Sequence, residues 1–192
     1  MISKLSKKIV NQLNILDDEQ ELYEYGFFIL LSQILYFIIA IIIGTICGTV
    51  FESIIFYIAF QFIRRYAGGY HAATETRCEI LSTLSILACI VVIKLSKTYD
   101  IQTALWIISA LSAVCIFVFC PLDTPEKPLT DKEFRYFRKI SWLILLAIVV
   151  AIIVSYIFKF KIVTVPCCLS LILESILLTA GKIKRVSQKT EC

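Results

Sequence analysis

GFFILLSQILYFIIAIIIGTICGTVFESIIFYIAFQFI, residues 26–63, is an almost unbroken apolar run of 38 residues. At about 1.5 Å per residue, one helix of that length would reach about 57 Å, nearly twice a hydrocarbon layer of about 30 Å. The run therefore reads as two membrane spans, 26–44 and 45–63, with the bend around Gly44 and Gly48. Glu52 falls near the start of the second span, an awkward place for a carboxylate, so a re-entrant second segment is the alternative.

The rest of the chain repeats the pattern. Of its 192 residues 59% are hydrophobic and 18% charged, with a mean hydropathy of +0.85, which argues against a water-soluble globular domain. Further spans read as 79–95, 101–120, 140–158 and 162–180, six in total within one integral membrane domain covering 1–192. The predicted fold is all-α and polytopic. Residues 1–24 carry charge throughout, so no cleavable signal is expected and the first span should stay. Ile2, Leu5, Ile9, Leu13 and Leu16 make a helical stripe opposite Lys4, Lys7 and Lys8, which predicts an amphipathic segment over 1–25. Such a helix lies on the lipid interface or packs on the protein's own surface.

Loop charge orients the spans. Fifteen of the 19 Lys and Arg fall in residues 1–25, 64–77, 127–139 and beyond 180, against Lys94, Lys97, Lys159 and Lys161 on the other side. The positive-inside rule then puts both termini and the 64–78 loop in the cytoplasm of a multi-pass protein of the cell membrane. Pro121, Pro125 and Pro128 make PLDTPEKP, residues 121–128, a stiff non-helical connector. Glu174, inside the last span, needs a partner or a proton. Most of the eight cysteines sit in apolar runs, and with one histidine and no CxxC pair neither a disulfide framework nor a metal centre is expected. No cofactor and no nucleic-acid partner is called for.

RRYAGGYHAATETRCE, residues 64–79, is where polar chemistry collects. Thr76-Arg77-Cys78-Glu79 has the form of a capping box, which would set Cys78 in the first turn of the third span, where a helix N-terminus favours a negative sulfur. His71, the only histidine, could take the thiol proton, and Arg64, Arg65 and Arg77 add positive potential. On one straight helix residues 71 and 78 would be about 10.5 Å apart along the axis, so a working dyad requires a chain break between them. Gly68-Gly69 is permissive enough to allow one. The residues alone leave open that His71 is an interfacial anchor, Cys78 a packing residue and the arginines a topology signal.

The stretch Arg64 to Ala72, the cysteine seven residues past the histidine, the P-x-D-x-P-x-K-P connector, the basic start and the succession of spans resemble the accessory gene regulator B family. Members of that family are membrane endopeptidases that process quorum-sensing propeptides. The resemblance implies Cys78 as nucleophile and His71 as its base, with Arg64 and Gly69 at positions also needed for activity. Arg65 joins Arg64 as a candidate for attracting substrate. The implied partner is a propeptide with an amphipathic leader, a short signal segment and an acidic tail, processed at the lipid surface to a thiolactone or lactone ring. A homodimer is compatible with the resemblance. Glu75, Glu79 and Asp123 are candidates for a third residue orienting His71. The rival reading is a peptide transporter or exporter without proteolytic activity, in which Glu52, Glu174 and the arginines line a path.

Overall fold

The computed structural model describes residues 2–12, 17–70, 74–122 and 129–190, apart from the side chains of residues 2, 4, 17–19, 75 and 188–190. Among the described residues seven helices follow one another: α1 (Ile2–Gln12), α2 (Asp17–Cys47), α3 (Val50–Ala67), α4 (Glu75–Thr98), α5 (Gln102–Phe119), α6 (Asp131–Ile157) and α7 (Lys161–Thr190). No strand occurs among the described residues, and the fold is the all-α membrane bundle the hydropathy predicts. Large apolar side chains such as Ile38, Ile42, Leu111, Val114, Leu143 and Leu146 point outward from the bundle. That is the surface a lipid environment calls for.

The long apolar run breaks where its glycines are. Gly48 takes a φ of 69°, a left-handed conformation that closes α2. Thr49 N–H then donates to the Gly44 carbonyl at 2.8 Å. Gly44 matters for a different reason, because a Cβ there would lie 2.7 Å from Ser53 Oγ and 3.2 Å from Val50 Cα. The second helix starts so close to the first that only hydrogen fits between them.

Glu52 is paired. Its Oε1 lies 2.7 Å from Lys97 Nζ, which also donates to the Gly48 carbonyl at 3.0 Å, so one lysine at the end of α4 staples the α2–α3 bend.

Among the described residues five helices, α2, α4, α5, α6 and α7, are long and apolar enough to cross a membrane. The shorter α3, 18 residues, carries Glu52 at its start and Arg64 and Arg65 in its last turn. Its ends nevertheless lie at opposite ends of the bundle, Glu52 against Lys97 and Ala67 against Leu122. The helices also outrun the apolar stretches that announce them. α6 begins at Asp131, nine residues ahead of the predicted span, because Thr130 and Glu133 close a capping box in which each satisfies a backbone N–H of the other.

In α1, Ser6 and Val10 are buried, α1 lies against α2, and Lys7 Nζ reaches Glu24 at 3.9 Å, while Leu5 stays exposed. One side of the amphipathic helix thus packs on the protein and another is free for an interface. Leu13 and Leu16 lie outside the described residues.

The bundle is built around α7, which packs on α3, α5 and α6. Leu171 and Leu178 are fully buried there with Phe56 and Ile63 of α3 and Ile116 of α5. One end of the bundle gathers the end of α3, the end of α5 and the C-terminal part of α7, joined through Ala67, Leu122, Gly69 and Gly181. The start of α6 reaches the same end, where Phe137 meets Tyr66, ring centroids 6.1 Å apart. With Arg64, Arg65, Arg138 and Lys182 all there, this is the basic end.

Candidate functional site

The basic end is organised by the chain leaving α3. Gly68, at φ 79°, ends the helix with its N–H on the Arg64 carbonyl at 3.2 Å, and Gly69 follows at φ 141°. Both conformations are closed to most side chains. The reversal brings the loop's carbonyls back towards Arg64, whose Nη1 donates to the Gly68 carbonyl at 2.9 Å and Nη2 to the Tyr70 carbonyl at 2.6 Å. A Cβ on Gly69 would lie only 1.6 Å from Nη1. The guanidinium fills the space a side chain at 69 would need.

Other elements hold the loop from outside. Tyr70 N–H donates to the Leu177 carbonyl of α7 at 2.9 Å, and Leu122 N–H, just past α5, donates to the Ala67 carbonyl at 2.8 Å. Gly181 of α7 is the contact point, since a Cβ there would sit 3.0 Å from Gly69 C and Tyr70 N. Three glycines therefore let one loop lie directly on a helix.

Beneath the loop is Glu174. It is fully buried, and its Oε2 lies 3.9 Å from Arg64 Nη1, whose side chain is 19% exposed. Neither carboxyl oxygen has a hydrogen-bond partner among the described residues, and the guanidinium is the charge that lies beside it. The partner that the sequence demanded for Glu174 is thus a residue of the 64–79 stretch. Gly181 and Leu122, by contrast, were not foreseen.

Cys78 stands at the start of α4. The N-cap is Thr74, in extended conformation, with Oγ1 accepting from Arg77 N–H at 3.4 Å, and Cys78 N–H donates to the Thr74 carbonyl at 3.1 Å. This corrects the expected Thr76–Glu79 capping box: the helix starts two residues earlier. Thr76 lies inside the helix and cannot cap it. Cys78 therefore moves from the expected second position to the fourth residue of α4, where the first turn closes, and is half-buried, whereas Cys89, Cys120, Cys167 and Cys168 are buried. Tyr36 of α2 lies near Cys78, Glu79 and Ser82.

Of the sequence-derived candidates, the structure joins Arg64 and Gly69 to one another and to Glu174. Arg65 is exposed, with its guanidinium 6.0 Å from the Tyr66 ring centroid, and no hydrogen bond or ion pair ties Cys78 to either arginine among the described residues. Glu79 is half-buried. His71 and Asp123, the side chain of Glu75 and most of the 121–128 connector lie outside the described residues. Tyr70, which carries the carbonyl held by Arg64, is bonded directly to residue 71.

The profile of the family described as accessory gene regulator B matches residues 2–178, nearly the whole chain. Two Clostridium perfringens proteins, from strains SM101 and 13, are each 28% identical over 151 residues, spanning 75% of this chain and 71% of their own length. A Listeria innocua protein is 29% identical over 125 residues, 62% of this chain and 58% of its own. All three are named AgrB-like. No solved structure gives a significant match.

Proposed function

Because the chain belongs to the accessory gene regulator B family, whose members take part in processing quorum-sensing propeptides, we propose that it is a membrane cysteine endopeptidase using Cys78 and His71. The observation that carries this reading is the position of Cys78. Of the seven described cysteines it alone occupies the first turn of a helix, and it does so a few residues from the loop that Arg64 clamps. The partial positive charge of the helix N-terminus favours a sulfur anion, and His71 accepts the thiol proton.

In this reading the Cys78 sulfur attacks the carbonyl joining the propeptide's signal segment to its tail. The carbon–nitrogen bond breaks, His71 returns its proton to the departing amine, and the signal segment stays on Cys78 as a thioester. A thiol or hydroxyl inside the bound peptide then attacks that thioester, closing a thiolactone or lactone and restoring the Cys78 sulfur. Tethering favours this over water, since effective molarities for well-oriented groups reach about 10⁵ M and above. The basic end faces the cytoplasm of the cell membrane, where exposed Arg65 and exposed Lys132, Arg135 and Lys139 of α6 attract an acidic tail and the free side of α1 meets the lipid on which a leader helix lies.

The transporter alternative drew on Glu52, Glu174 and the arginines as the lining of a path. Each carboxylate has a basic partner, Lys97 and Arg64, which accounts for it without a pathway. The test is release of the tail from such a propeptide by purified protein in vesicles, followed by mass spectrometry. Wild type should release it, and Cys78→Ala and His71→Ala should not. Release by Cys78→Ala at the wild-type rate would overturn the assignment.

A further inference from the structure

The buried carboxylate of α7 has no role in that mechanism, yet it is the counter-ion beneath the loop. We infer that Glu174 is a positioning residue for the peptidase, fixing Arg64 inward so that Arg64 can hold the Tyr70 carbonyl, the last described group before residue 71. The inference rests on the proposed function and adds to it a residue 96 positions along the chain from Cys78.

Arg64 is a long cationic side chain at the end of a membrane-facing helix, and such side chains run outward to water or headgroups when nothing holds them. Here it runs the other way, over Gly69 and onto two loop carbonyls, leaving 19% of its side chain exposed. Two neutral carbonyls do not compensate a buried charge. Among the described residues the carboxylate beside it is Glu174, fully buried on the most enclosed helix of the bundle. At 3.9 Å, with both carboxyl oxygens unbonded among the described residues, any hold of Glu174 on Arg64 is through charge rather than a hydrogen bond. The same helix also receives the Tyr70 N–H at Leu177 and the glycine contact at Gly181. Glu174, Leu177 and Gly181 follow at helical steps of three and four, so one stripe of α7 is the template for the loop. Loss of the charge should release Arg64 and, with it, the Tyr70 carbonyl, while α7 stays packed.

The test uses the protein in vesicles and a propeptide with an amphipathic leader and an acidic tail, with wild type, Glu174→Gln, Glu174→Asp, Arg64→Lys and the Arg64→Lys/Glu174→Gln double variant. Glu174→Gln, equal in shape but uncharged, should lower kcat about 30-fold with KM within about twofold and the unfolding temperature little changed. Glu174→Asp should recover part of the loss. Arg64→Lys keeps the charge but cannot span two carbonyls, so it too should lose kcat, and the double variant should be no worse than the poorer single. Hydrogen exchange at residues 68–70 should speed up in Glu174→Gln without change in α5. Wild-type kcat in Glu174→Gln, additive losses in the double variant, or an effect confined to unfolding temperature would each overturn the inference. If Glu174→Gln does not fold, Glu174→Asp and Arg64→Lys still decide it through the same kcat-against-KM comparison. Cleavage that is equally fast in Cys78→Ala would instead defeat the peptidase reading itself.

Discussion

Replacing Gly69 by alanine tests the loop geometry most severely. At φ 141° an L side chain is strained, at a cost of about 1–3 kcal/mol. The new Cβ would also fall 1.6 Å from Arg64 Nη1, and because the guanidinium is the mobile end of a long side chain, it is what must move. Moving it gives up the bonds to the Gly68 and Tyr70 carbonyls, each a charge-assisted contact of about 1.5–3 kcal/mol, partly regained from water. A net penalty of about 3–4 kcal/mol against the observed loop corresponds to a loss of about 100- to 1,000-fold in the competent population. The assay is propeptide tail release by protein in vesicles, with Gly26→Ala as the control, since a Cβ at 26 meets nothing within 4 Å. Gly26→Ala should cleave as wild type does. A folded Gly69→Ala that cleaves within about threefold of wild type would refute the reasoning.

Three other outcomes follow from the same contacts. Lys97→Met leaves buried Glu52 without its cation and should lower the unfolding temperature more than Glu52→Gln, which leaves only a half-exposed lysine, as a thermal scan in detergent would show. Thr130→Ala removes the capping box of α6 and should cost about 1 kcal/mol of stability with catalysis retained, read by the same scan and by tail release. If exposed arginines attract an acidic tail, KM for the propeptide should rise with ionic strength while kcat holds, and a salt-independent KM would remove that part of the account.

The sequence and the structure agree at the α2–α3 bend, where a local rule decides the outcome. Gly44 and Gly48 mark the α2–α3 bend because one permits a close approach and the other a left-handed turn, and both are properties of the residue itself. Glu174 was legible as a group in need of a partner, since its surroundings in sequence are apolar throughout. Which residue answers that need was not legible, because Arg64 is 110 positions away and only the docking of α3 on α7 brings them together. Gly181 and Leu122 are of the same kind, ordinary residues until the loop is laid across them.

The cap of α4 was misread for a local reason. Thr74 and Thr76 are both competent caps, and an acidic residue three positions after Thr76 favoured the later one on pattern. The Thr74 hydroxyl and carbonyl take the N–H groups of Arg77 and Cys78 instead, so the earlier threonine begins the helix. Hydropathy also hid the first nine residues of α6. It marks the apolar part of a helix rather than the helix, although Thr130 and Glu133 spell the same box that did form there.

The most direct test of the account is the mass of the protein during turnover. Wild type mixed with propeptide and quenched in acid should carry the mass of the peptide without its tail, mapped to Cys78 and released by hydroxylamine as a thioester is. Cys78→Ala should carry nothing. Tail release with no acyl group on Cys78, or an acyl group on another cysteine such as Cys120, would contradict the account.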